Sequence, residues 1–560
     1  MHFFTNTFFL ACCVLPLLLS AATFRRPMER IASLDPAQSV SIYSSHAVAL
    51  VYETLLRYKP APPPYALEPA LATALPDISD DGLTLTFSIN PAARFWPDPC
   101  LPEGGRPLTA HDVVYTFKRL CDKRGTAESD WILLDRVRGM KAFAEATRTL
   151  AESAPYPELD SLRALDDHTL QIILERPAPE LLWLLTLPAT GIVPHEAVAF
   201  YKNRFGERSV GSGPYKLASW RRNHELTFER VSAWQGWPPA TNEKPFDRIA
   251  YRHIEDPSTQ WLAFLAGELD ILPGVSRDNW DAVILPGGVL APKLAQRGIT
   301  LHTAPALELA YIAFNMDDPV LGTNKKLRQA LNAAFNAREW AAFFNDRVMP
   351  ANGPVPPNVN GYDDSPFPYA FDLERAQRLL AEAGYPDGLD PATGRPLALT
   401  LELGRVTQDL RESTELFCAF MKRAGVHVVP SYNTWPAFMK KISQREAQMF
   451  RIGWVADYPD AENFLQLFYS PNASPGPNRS NYANPAFDRL YEAARSERDA
   501  QKRGALYAEM QAVLREDCPW IYLNVATAYS LSGPRVAGYF PHPFPYGMEI
   551  YYRAVENAKQ

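Results

Sequence analysis

Cysteine is scarce, six in 560 residues, and no two stand in the C-x-x-C spacing used by zinc knuckles and dithiol redox sites. The enzymatic signatures are missing as well: there is no GxSxG elbow, no HExxH, no phosphate-cradling GxxxxGK[ST] and no dinucleotide GxGxxG. A triad scattered along the chain is the one enzymatic alternative left, and no enzymatic activity is expected. The ten histidines are dispersed, so neither a dedicated metal site nor a cofactor is expected. No dense Lys/Arg tract interrupts a net charge of −7 and a pI near 5.9, which removes the electrostatic footprint of a nucleic-acid binder. Beyond residue 22, no apolar run approaches the roughly 20 residues that span a bilayer.

The first 22 residues read as a cleavable export signal. An apolar stretch from Phe8 to Leu19 is followed by the small residues Ser20, Ala21 and Ala22, and Thr23 would open the mature chain. No Lys or Arg precedes the stretch, and the basic pair Arg25–Arg26 follows it. A membrane anchor is the alternative, but the run is short and Pro16 interrupts it. Cys12 and Cys13 lie within the stretch rather than after it, which argues against a lipid-anchored cysteine. Export leaves Cys100, Cys121, Cys418 and Cys518, which an oxidising compartment could pair in three ways. Cys100 with Cys121 is the first guess, and four free buried thiols fit equally well.

What is present is proline, 51 residues without a period, beside an ordinary 47% hydrophobic content, which together describe a globular chain with many rigid loops. The length allows two or three substructures. Alternation at Leu83/Leu85/Phe87/Ile89, Leu170/Ile172/Leu174 and Leu226/Phe228 predicts strands. Thr109 and Asp112 form a capping box ahead of the apolar stripe Val113, Val114, Phe117, Leu120. Further on, a strand at Tyr311–Met316 precedes a helix from Lys325, and a second helix runs from Asp372 to Ala383, where Gly384 and Pro386 stop it. A strand through Leu399, Leu401 and Leu403, a helix ending near Gly425, a strand at Val426–Val429, a helix after Thr434 and a strand at Met449–Trp454 follow. This β-α-β-α-β order predicts a largely parallel sheet with ligands beyond the carboxyl ends of its strands. Arg405 after one strand and Asp457 after another would then share an edge, a grip suited to a zwitterion.

Several blocks in order resemble the family 5 extracellular solute-binding proteins, the oligopeptide- and dipeptide-binding group. They are Gly104-Gly105-Arg106-Pro107-Leu108-Thr109-Ala110-His111-Asp112 with the helix that follows, Leu34-Asp35-Pro36, Val51-Tyr52-Glu53-Thr54-Leu55-Leu56 and Gly211-Ser212-Gly213-Pro214-Tyr215. Phe314-Asn315, Lys326-Leu327-Arg328-Gln329-Ala330-Leu331, Ala383-Gly384-Tyr385-Pro386-Asp387-Gly388 and Gly453-Trp454-Val455-Ala456-Asp457-Tyr458-Pro459-Asp460 continue the match. Singly, each block also reads as turn or cap chemistry; the ordered set carries the resemblance. It implies an α/β, two-lobed periplasmic-binding-protein fold of the large peptide-binding type, with hinge strands between the lobes. Lobe one would be residues 23–302 with an inserted subdomain at about 60–205, lobe two residues 303–524, and residues 525–560 would return to lobe one.

The resemblance further implies a periplasmic, monomeric receptor that hands short peptides to the permease of an ABC importer. Asp457 would pair with the ligand's α-amino group, and Gly453 and Val455 would offer backbone groups that extend the peptide as a strand. Trp454 and Trp435 would form pocket walls, Arg451 or Arg405 would clamp a carboxylate, and Ser41, Ile42 and Tyr43 would line the site from lobe one. The segment Trp96–Glu103 departs from the family text. Relatives of the same fold carry nickel chelates, haem, sugars or antibiotics, so a non-peptide solute on the same fold, or a peptide-binding chaperone without transport, is the alternative.

Overall fold

The computed structural model describes residues 21–39, 41–238, 244–276, 279–285 and 287–555. The expected export signal through residue 20, with Cys12 and Cys13, lies outside them. Thr23, the expected first mature residue, opens a strand. Thr23–Met28 lies parallel to Arg248–His253, which continues antiparallel through Glu225–Arg230 to Tyr215–Arg221.

A second four-stranded antiparallel sheet runs Asp77–Ile78, Thr84–Ser88, Thr169–Ile173, Leu162–Asp166. Leu85 and Phe87 are buried while their neighbours are partly exposed, the period-2 pattern of a strand with one face in the core. The Ala110–Leu120 helix packs beside it. Its capping box is present: the Thr109 backbone N donates to Asp112 Oδ2 at 2.9 Å. Val113, Phe117 and Leu120 form its buried stripe.

The largest sheet has seven strands, ordered Ile271–Leu272, Trp520–Ser532, Thr300–Phe314, Met449–Val455, Ala398–Leu403, His427–Tyr432, with Val348–Pro350 added beside Trp520–Ser532. Only Met449–Val455, Ala398–Leu403 and His427–Tyr432 are mutually parallel; every other pairing is antiparallel. The largely parallel sheet read from the alternation is therefore corrected to a mixed one. The helices Gln408–Ala424 and Trp435–Ser443 supply the crossovers that parallel neighbours require. Thr300–Phe314 and Trp520–Ser532 join the sheet from distant parts of the chain without such a crossover, and alternation carries no information on their direction. The first of these also begins eleven residues before the expected Tyr311.

Helices Lys325–Ala334, Leu373–Glu382 and Gln408–Ala424 bury Leu331, Leu380, Phe417 and Phe420 in one cluster with Leu399, Leu401 and Leu403 of the sheet. Each such phenylalanine contributes about 1.5–3 kcal/mol of burial. Gly425 ends its helix at φ +102°, a conformation a side chain would strain. The Cys100–Cys121 guess is also corrected: Cys100, Cys121, Cys418 and Cys518 are all free. Cys418 and Cys518 each turn the sulfur toward a carbonyl, of Val428 and Arg515 respectively.

Candidate functional site

The strand Met449–Val455 organises the site. On one side it pairs with Thr300–Phe314 along its whole length, to Glu308 opposite Val455. On the other, Ala398–Leu403 accompanies it only to Leu403 opposite Arg451, so the edge is open from Ile452 onward. The Ala456 backbone N donates to Leu307 O at 2.8 Å. Bonding residues alternate in an antiparallel pair, so Gly453 and Val455 turn their N–H and C=O groups toward the open edge. Both residues are exposed.

Position 404, just past the end of the neighbouring strand, takes glycine for a steric reason. A Cβ there would stand 2.7 Å from Phe438 Cδ1 and 2.9 Å from Trp435 Cε3. The two rings lie 5.5 Å apart, and Trp435, 47% exposed, keeps much of its face free beside the open edge. Trp454 instead faces inward, donating from Nε1 to Asn463 Oδ1 at 2.9 Å.

Asp457 sits where the strand turns away. Its carboxylate Oδ2 accepts from Asn463 Nδ2 at 3.1 Å, and burial pushes the carboxyl above its ordinary range against the pull of that amide. Among the described residues no cation pairs with it. From elsewhere in the chain Tyr58 and Tyr546 face its field: burial, and after it the Asp457 charge, raise Tyr546 to about 12 and Tyr58 well above its usual range.

Of the two arginines, Arg451 shares a strand face with Gly453 and Val455. Its guanidinium donates to Ser413 Oγ at 2.8 Å and lies 5.0 Å over the Trp340 ring. Burial lowers it to about 10, against the opposing pull of Tyr432. Arg405 is exposed at the mouth, and its charge eases Glu308, an exposed residue whose carboxyl is raised by partial desolvation. Ile42 is 57% exposed at the start of the Ile42–Val51 helix. Tyr43 donates its hydroxyl to Glu29 at 2.7 Å, and neither residue shares a hydrogen bond with the site strand among the described residues.

A cavity with about 600 Å3 of space between atoms, partly open to solvent, lies along Leu307, Glu308, Val455 and Ala456, flanked by Pro541 and His542 of the C-terminal segment. His542 is held at Nδ1 by the Phe544 backbone, and its buried Nε2 has no partner. Burial lowers its pKa to about 4, so the ring is neutral. Asn463, Tyr58, Tyr546 and His542 were not foreseen. The proline- and aromatic-rich run Pro541–Tyr546 was the one available signal; a lone tyrosine or asparagine carries none.

Residues 66–476 match the family model described as bacterial extracellular solute-binding proteins, family 5. The chain belongs to this family. Its relatives include heme-binding protein A of Haemophilus influenzae, 26% identical over 506 residues, covering 89% of this chain and 85% of the relative. The dipeptide-binding protein of Escherichia coli is 26% identical over 476 residues, covering 83% and 82%. Among solved structures, HbpA2 from Haemophilus parasuis superposes with a TM-score of 0.78 at 23% identity, covering 95% of this chain and 100% of that one. The expected two-lobed α/β binding-protein fold is thus the fold of this family 5 member. Among its described residues no helix is long and apolar enough to cross a membrane.

Proposed function

We propose that this chain is the extracytoplasmic receptor of an ABC importer and captures short peptides between its two lobes. The observation that carries the reading is Asp457, a desolvated carboxylate with no paired cation among the described residues, set at the end of a strand whose open edge presents Gly453 and Val455. An ammonium group there gains a charge-assisted hydrogen bond worth about 1.5–3 kcal/mol, and the backbone edge holds an extended peptide without regard to its side chains. Trp435 would wall the groove, with Trp454 backing it from the opposite face of the strand, and Arg451 or Arg405 would take the ligand's carboxylate.

The moving bodies are taken to be residues 23–302 with 525–560, and residues 303–524. Ligand contacts to both favour the closed form that docks on the permease. The receptor works as a monomer in the periplasm after removal of residues 1–22, with no catalytic step. Mass spectrometry of the denatured protein's extract tests this: a ladder of short peptides supports it, and a single non-peptide mass overturns it.

A second reading, haem as cargo, is favoured by the unpartnered Nε2 of His542 in an aromatic setting, 5.4 Å from the Tyr58 ring and 5.3 Å from that of Tyr65. One of the relatives is named for haem. A Soret band on adding haemin, lost in His542→Ala, would establish it; an unchanged spectrum would remove it.

A further inference from the structure

A second cavity, about 590 Å3 of space between atoms and partly open to solvent, begins at Tyr58 and Tyr546 and continues past Tyr52 and Glu53. Trp234 and Phe544 supply aromatic walls. Its tyrosine hydroxyls are loosely held. Those of Tyr52 and Tyr58 are buried with no well-formed hydrogen bond, the nearest groups being the Val210 backbone and the Thr186 side chain, while Ser212 turns toward Glu53. Buried polar groups that are poorly satisfied cost folding free energy, and two of them on one cavity leave room for a ligand group.

The charge pattern says which kind of group. Glu53 carries the cavity's unpaired acid: burial raises it to about 7, against Ser212, Trp234 and Arg57, which lower it. Arg57 is already engaged, donating from Nε to Glu68 Oε1 at 2.7 Å. Beyond Tyr52 stand the Asp35–Arg119 pair and Asp98, and beyond Tyr58 stand Tyr65, Tyr546 and Asp457. Phenol and carboxylate oxygens accept from N–H donors, and ring faces attract cations. An anion would meet Glu53 and gain nothing.

A purely structural Glu53, capped by Ser212 and Trp234, would leave the two tyrosine hydroxyls unexplained. We propose that this cavity receives an alkylammonium or guanidinium group, as the basic side chain of a peptide whose α-amino group rests at Asp457. The assignment rests on the peptide reading above. Tyr58 and Tyr546 line the cavity and also lie within the field of Asp457, which makes the two sites neighbours.

Entry of a cation favours the ionised form of Glu53, so below about pH 7 binding releases a proton to solvent. Calorimetry with Lys-Ala-Ala, with its norleucine counterpart and with free cadaverine, each in phosphate and in Tris at pH 6.5 and 8.5, reads both affinity and proton release. The lysine peptide is expected to bind about tenfold tighter than the norleucine peptide at pH 8.5. At pH 6.5 it is expected to release more protons than the norleucine peptide, whose α-amino group draws on Asp457 alone, and Glu53→Gln is expected to abolish both differences while keeping the norleucine affinity. Equal affinities for the two peptides, or an excess proton release that survives Glu53→Gln, overturn the proposal. Should the variant not fold, the wild-type ratio and buffer dependence decide alone. If neither peptide binds, the peptide reading fails; cadaverine binding with proton release then assigns the cavity to free amines, and its absence removes the cavity site too.

Discussion

Asn463 grips Asp457 from both sides. Its Oδ1 accepts from the Asp457 backbone N at 3.1 Å, and its Nδ2 donates to the Asp457 carboxylate at 3.1 Å. The same Oδ1 accepts from Trp454. One amide therefore aims the acid and fixes the ring beside it. Asn463→Ala should weaken binding of free-amino peptides about tenfold, the equivalent of one hydrogen bond to a charged group, measured by calorimetry. An unchanged affinity would mean that the carboxylate is aimed by something else.

The raised pKa of Asp457 has a stability consequence. A carboxyl that is harder to ionise when folded binds more protons in the native than in the unfolded chain between the unfolded value of 3.8 and its raised one. Stability then falls as pH rises through that window and stays reduced above it. Asp457→Asn should raise the melting temperature of the ligand-free protein at pH 7 to 8 and leave it unchanged below the window. The same variant should lose affinity for free-amino peptides and much less for N-acetylated ones. Equal losses for both would defeat the ammonium assignment.

A buried ionic cluster joins distant parts of the chain. Glu180 is held by Arg136 at 3.0 Å and Arg176 at 2.9 Å. Its charge bears on Glu462, which accepts hydrogen bonds from the hydroxyls of Tyr458 and Tyr491. The arginines hold Glu180 ionised, whereas burial and Glu180 itself raise Glu462. Arg136→Ala strands much of a buried charge and should cost about 3–5 kcal/mol, read by urea unfolding at pH 7.

The thiols provide a simple check. Burial raises Cys100 to about 12 and lifts Cys121, Cys418 and Cys518 as well, so native protein at pH 8 should resist alkylation, which requires the thiolate. Four thiols per mature chain should react after denaturation without reductant. A count of two would restore a disulfide.

The elements around the site were readable because each carries its own pattern or cap. Met449–Val455 is a short apolar run broken only by Arg451 and Gly453, Thr434 precedes the Trp435–Ser443 helix, and Gly425 stops its predecessor. Strand direction was not readable, since nothing local in Thr300–Phe314 states which neighbour it will meet. The groups opposite Asp457 were hidden for the same reason. Tyr58 lies in a three-residue strand, and Tyr546 lies 488 residues beyond it in an irregular segment. Their relation exists only after folding.

The ladder between Thr300–Phe314 and Trp520–Ser532 slips between Pro305 and Leu309 and again at Ala310/Tyr311. A ribbon with missing rungs bends there at least expense in hydrogen bonds. The unmatched residues include Leu307 and Glu308, which also wall the cavity beside Val455. In the proposed closure, swinging one half of the molecule against the other would reshape that cavity at the same time, so a ligand that fills the groove would set the angle of the halves by its size.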